Sequence, residues 1–170
     1  MVDTSYKYLP SINKWFTLTQ NNFIGKWSLT NIKSTIHMTI SFLINIKSIS
    51  KWRNIIHVSN QNIDCCTTGN RVPAIWVTDN SSSLYISNGT SLNGDDVFLT
   101  KNIPLNIPTN VKIIWNGNNV NVYFNNIFNT SHVYNGIMTL ANPDASFYIG
   151  DPWYTQDGGV DIKDFKMSNL

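Results

Sequence analysis

The sequence predicts an all-β fold, a sandwich or a barrel. Three observations carry this. Short runs rich in β-branched and aromatic residues recur between clusters of Asn, Gly, Asp, Ser and Pro. No window of helical length keeps an i, i+3, i+4, i+7 apolar stripe. An Asn-Gly pair between two β-rich runs supplies the positive φ angles that a tight hairpin demands.

The elements follow in order. Phe23 to Leu29 reads as a short apolar strand. From Thr35 to Ile46, the residues Ile36, Met38, Ile40, Phe42, Ile44 and Ile46 alternate with mostly polar neighbours, so one face is core and the other more open. Trp52 to Val58, Val72 to Thr78 and Ser83 to Ser87 are further strands. Val111 to Trp115 turns through Asn116-Gly117-Asn118-Asn119 into Val120 to Phe124, and Asn125-Asn126 begins a second tight turn into Ile127-Phe128. Ala145 to Gly150 and Val160 to Met167 close the chain as strands around a polar, aromatic loop, Asp151 to Gly159. Trp27, Trp52, Trp76 and Trp115 lie within strand patterns, where aromatic residues are core, and all four are assigned to packing.

The 170 residues suit one domain spanning 1–170, and no linker or tandem repeat divides them. Hydrophobic residues make up 42% and charged residues only 13%, against roughly 25% charged in an average domain. Asn, the commonest residue, covers the surface instead and favours turns. Net charge is +2, Lys is scattered, and Arg occurs only at Arg53 and Arg71, so no basic stripe for nucleic acid forms. No apolar run approaches the roughly 20 residues that span a membrane. The opening Met1-Val2-Asp3-Thr4-Ser5 lacks the regions of a signal peptide, so the expectation is either no such leader or a piece of a longer protein. The only cysteines, Cys65 and Cys66, are adjacent and read as two reduced, partly buried thiols, with a vicinal disulfide as the alternative.

Several blocks resemble a known family. Thr39-Ile40-Ser41-Phe42 and Trp52-Arg53-Asn54-Ile55-Ile56-His57-Val58 are similar to the paired core strands of concanavalin A-like and laminin G-like domains. Val111 to Phe128 resembles that family's late hairpin, and Arg71-Val72-Pro73-Ala74-Ile75-Trp76 and Tyr148-Ile149-Gly150-Asp151-Pro152-Trp153 resemble two further blocks. The resemblance covers about residue 35 onward and includes lectin-like modules of animals and of large DNA viruses. It implies a two-sheet antiparallel jelly-roll sandwich, in which the last strand returns beside an early one. This superfold hosts lectins, glycosidases and adhesion modules alike.

Catalysis finds little support in the residues. The chain contains no Glu; all ten acidic residues are Asp. Glucanases of the resembled fold use paired Glu on one strand, and glycosidases need two carboxylates about 5–9.5 Å apart. Here no apolar strand carries two Asp at i and i+2 or i+4, and Asp161 and Asp164 differ by three, which sends them to opposite faces of a regular strand. His37, His57 and His132 are single and well separated.

Lectin-type sites need an aromatic ring for a sugar's apolar face and Asp, Asn or Gln for its hydroxyls. The loop 151–159 offers this set, with Trp153, Tyr154, Gln156, Asp157 and Asp151 as candidate ligand contacts; Asp151 also serves as a turn cap. Asn80 at the end of the Trp76 strand reaches toward the same rim. Asp95 and Asp96 are adjacent carboxylates, which repel unless something cationic sits between them; Ca²⁺, a Lys or water would serve. These readings point to a non-enzymatic recognition module for a glycan or a host surface glycoprotein, located on a virion surface or another extracellular face. The alternatives are a capsid decoration or homo-oligomerisation module that contacts other capsid proteins, and an atypical Asp-dependent glycosidase.

Overall fold

The computed structural model describes residues 14–19, 24–28, 37–142, 145–150, 153 and 157–169, with backbone alone at 24–28, 157, 168 and 169. Twelve strands form among them: β1 Phe16–Thr19, β2 Ile24–Ser28, β3 His37–Ile46, β4 Arg53–Ser59, β5 Ala74–Val77, β6 Leu84–Asn88, β7 Asp96–Leu99, β8 Thr109–Asn116, β9 Asn119–Phe124, β10 Ile127–Val133, β11 Ser146–Ile149 and β12 Asp157–Asn169. They make two six-stranded antiparallel sheets, one in the order β1-β12-β3-β8-β9-β10 and the other β2-β11-β4-β5-β6-β7. The expected all-β sandwich is what forms, and its last strand does return to early ones, pairing with β1 and β3.

Alternation places the core. In β3, Met38, Ile40, Phe42, Ile44 and Ile46 are buried, while the residues between them stand partly or fully open. They meet Val111, Ile113 and Trp115 of β8 and Val120 and Val122 of β9 from the same sheet, and Ile75, Val77, Leu84, Ile86, Phe147 and Ile149 from the other. Trp115 is completely buried there, as expected. Arg53 is also fully buried: its guanidinium donates to the Ser48 carbonyl at 2.8 Å and to the Ser50 hydroxyl at 2.7 Å. Gly159 lies against that guanidinium, where a side chain would collide with it.

Both late turns behave as their residues demand. Asn116 pairs with Asn119 around Gly117, which takes φ +61°. Asn125 and Asn126 both adopt positive φ, 50° and 65°, between the paired Phe124 and Ile127. Asn tolerates the left-handed region, so two of them close a primed turn without glycine. In β12 a bulge between Lys163 and Lys166, with Asp164 at φ 53°, interrupts the regular alternation; Asp161 is buried and Asp164 exposed.

Three expectations need correction. β1 and β7 were not foreseen. Cys65 and Cys66 have their sulfurs set against each other, as in the vicinal-disulfide alternative, and the peptide between them is cis. Trp52 is not core: it is 37% exposed, sits just ahead of β4 and belongs to a surface site.

Candidate functional site

The middle of the second sheet is buried on both sides. Every residue of β4, β5 and β11 is inaccessible, where a sheet with one solvated face would alternate. Its outer face is covered by aromatic rings. His57 of β4 and Trp76 of β5 meet edge to face with ring centres 5.4 Å apart. Trp76 meets Tyr85 of β6 at 5.7 Å, and Tyr85 meets Trp52 at 5.2 Å, again edge to face. At the opposite end, Trp153 packs 5.0 Å from His57 and 5.3 Å from Tyr148 of β11. The row Trp153, His57, Trp76, Tyr85, Trp52 thus runs across β4, β5 and β6. Its strand-borne rings alternate with core residues, as Trp76 does between Ile75 and Val77.

Arg71 lies over this row, with its guanidinium carbon 4.4 Å from the centre of the Trp76 ring. That is cation–π distance, and a planar guanidinium stacks well on an indole. The loop between β4 and β5 and the loop ahead of β7 fix it from two sides. Nε donates to the Asp64 carbonyl at 3.2 Å, Nη1 donates to Asp95 Oδ2 at 2.7 Å, and Nη2 lies 3.6 Å from Asp64 Oδ1. Burial works against the guanidinium's charge, but the hydrogen bond and charge of Asp95, with the charge of Asp64, hold its pKa above the ordinary arginine value. Asp95 also accepts from the Tyr85 hydroxyl at 3.2 Å and, through Oδ1, from the Ser87 hydroxyl. Burial, with the Asp95 carboxylate beside it, pushes the Tyr85 phenol above its usual range, so it stays a donor. Gly94 makes this possible: its Cα meets the backbone of Cys66 and Thr67 so closely that a side chain there would collide with both.

Between these groups lies a pocket of about 260 Å³, lined by Trp52, Arg71, Trp76 and Tyr85. Trp76 is 3% exposed and supports Arg71, whereas Trp52 is open to solvent. The pocket therefore pairs an available ring face with fixed polar groups. Its volume lies just below the roughly 300–1,000 Å³ of clefts that enclose drug-sized ligands, which suits one ring-sized group with the rest of a ligand outside.

The expected site residues distribute unevenly. Trp153 lies on the same outer face, half-buried, beyond His57 from the pocket. Asp151, Tyr154 and Gln156 fall outside the described residues, and Asp157 is placed only by its backbone, paired with Thr19. Asn80 is exposed in the turn between β5 and β6 and does not line the pocket. Asp95 and Asp96 diverge, and each faces groups of the protein. Asp95 turns to Arg71; Asp96 accepts from the Asn135 amide at 2.9 Å and lies 3.2 Å from Nε2 of His132 on β10. Among the described residues, Cys65, Cys66 and Asp95 bring three potential metal-ligand atoms within 4.8 Å of one another. Arg71 and Tyr85 escaped sequence reasoning. The available signal for Arg71 was its rarity, as one of two arginines in a chain that otherwise uses Lys.

No protein-family profile and no curated protein matches the sequence. Solved structures do match in shape. The binding domain of botulinum neurotoxin serotype D superposes with a TM-score of 0.64 at 14% identity, over 92% of this chain and 39% of that one. Domain 4 of a GH43 extracellular arabinanase from Geobacillus stearothermophilus, in complex with arabinotriose, gives 0.63 at 16%, over 95% and 74%. A Caenorhabditis elegans galectin, LEC-6, gives 0.53 at 13%, over 91% and 96%. This chain thus spans about two-fifths of the neurotoxin domain. At such identities the likeness concerns fold, and it shows that the chain is a jelly-roll β-sandwich of two antiparallel sheets.

Proposed function

We propose that the protein is a non-enzymatic glycan-recognition module whose ligand sits in the pocket of Trp52, Arg71, Trp76 and Tyr85. One observation carries the reading: an exposed indole stands beside polar groups that Asp64, Asp95 and Trp76 hold rigid before any ligand arrives. A sugar ring presents an apolar face to Trp52 and hydroxyls to the Arg71 guanidinium and the Tyr85 phenol, and preorganised partners lose little entropy on binding. The galectin and the arabinotriose-bound arabinanase domain share the fold, which supports the same class of ligand. The non-enzymatic part rests on the lack of Glu and on the tie between Asp95 and Arg71, which leaves that carboxylate engaged. The reading takes residues 1–170 as one domain. Its placement on a virion surface, in contact with a host glycoprotein, rests on the resemblance to modules of large DNA viruses and on the Asn- and Ile-rich composition.

A glycan array tests the proposal. Discrete positives are expected, and Trp52→Ala should weaken them by roughly thirtyfold or more, as loss of a central aromatic anchor does. The variant should keep its stability, because Trp52 is outside the core. An array silent across neutral and acidic glycans, from a protein folded by circular dichroism, would overturn the reading. A second reading, an interaction module, is favoured by the edge strand β10, where Ile127, Phe128 and Val133 are exposed. Sedimentation of the wild type and of Phe128→Lys separates the two: only an interface on β10 predicts an oligomer that the lysine dissolves.

A further inference from the structure

The hydrogen-bonding character of the site limits which glycans it takes. Each nitrogen of the Arg71 guanidinium already faces an oxygen of Asp64 or Asp95, and one face of the group lies on Trp76. The charge that would anchor an acidic ligand is thereby already paired with two carboxylates, two of the five N–H groups donating to Asp64 and Asp95. Beside the pocket, one guanidinium faces two carboxylates, so these three groups together are net negative. The Tyr85 hydroxyl donates to Asp95, which leaves its oxygen lone pairs as acceptors. The Asp95 carboxylate likewise offers only acceptors. These oxygens call for donors. Sugar hydroxyls donate; carboxylates and sulfates do not, and the local charge repels them. Asp95 does not yield easily, since Ser87, Tyr85 and Arg71 hold it together.

We propose that the pocket selects uncharged glycans and discriminates against sialylated, uronic and sulfated ones, with Asp95 as the residue that sets this preference by masking Arg71. This inference rests on the glycan-binding reading above.

The test uses pairs of oligosaccharides, neutral and acidic, on the same backbone, measured by array and calorimetry at low and high salt. Wild type should bind the neutral member about tenfold or more tighter, a difference of roughly 1.4 kcal/mol, and that affinity should barely respond to salt, since no ligand charge is screened. Asp95→Asn should narrow or reverse the preference by freeing the guanidinium, and acidic binding by that variant should weaken with salt. Should Asp95→Asn unfold, Asp64→Asn removes the other carboxylate, leaves Ser87 and Tyr85 untouched, and should shift the preference the same way. Equal or tighter binding of acidic glycans by wild type, lost in Trp52→Ala, would overturn the charge selection and leave glycan binding standing. Unchanged preference in folded carboxylate variants would overturn the masking role. Failure of the wild type to bind either class would overturn the glycan reading and this inference with it.

Discussion

The two sheets share one core and differ on their outer faces. On the first sheet, β3 and β8 alternate: Thr39, Ser41, Asn110, Lys112 and Asn116 point away from the core and remain partly or fully exposed. This is the ordinary half-buried antiparallel sheet, with water as the outer layer. On the second sheet, water is replaced by Arg71, the aromatic row and the loops that carry Asp64 and Asp95. A protein that needed only a stable sandwich could leave both faces solvated. Covering one with a guanidinium and two carboxylates carries a desolvation cost, met by their mutual pairing. The covered face is thus where structure has been committed to something besides folding.

The comparison can be broken most sharply at Arg71. Arg71→Met keeps the bulk over Trp76 but leaves Asp64 and Asp95 without their shared cation. Stability should fall on the order of 3 kcal/mol, the lower end for breaking a buried ion pair, as measured by urea unfolding. Little change would show that loops and water satisfy the carboxylates without it.

A smaller effect should appear at alkaline pH. Tyr85 and Tyr148, both on the covered face, have phenol pKa values raised by burial, and for Tyr85 by Asp95 as well. A raised folded-state pKa contributes stability fully below the unfolded value, about 10 for tyrosine, and loses it as pH rises through the folded value. Unfolding free energy should therefore be level in these groups to about pH 9 and decline above 10. Buried Tyr134, whose phenol is raised further still, adds to the same decline. Tyr85→Phe should make the decline shallower in denaturant titrations from pH 8 to 11; an identical slope would remove Tyr85 from the account.

The smallest effect belongs to the solvated face. Ser41→Val on β3 should alter stability by no more than about 0.5 kcal/mol, as surface substitutions usually do. A larger loss would mean that the first sheet's outer face is covered too.

Legibility in the sequence followed the same division. β3 was readable because a solvated face writes period two into its residues. In β4 and β5, buried on both sides, polar and apolar residues no longer report direction, so Trp76, buried as expected, gives no local sign that it supports Arg71. The hairpin turns at Gly117 and at Asn125-Asn126 were readable because their conformation is set within a few residues. The site was not, since its four lining residues come from the lead into β4, the β4–β5 loop, β5 and β6, and nothing local relates them. Asp95 was noticed for its charge, but its partner Arg71 lies 24 positions away.

By itself, then, the sequence determined the strands long enough to alternate, the turns tight enough to need Asn or Gly, and an acidic complement made of Asp alone. Only the tertiary structure decided which outer face is covered and that Asp95 pairs with Arg71 over Trp76. Propensity and periodicity act over a few neighbouring residues, whereas pairing of charges and rings depends on which strands the sheet order brings side by side.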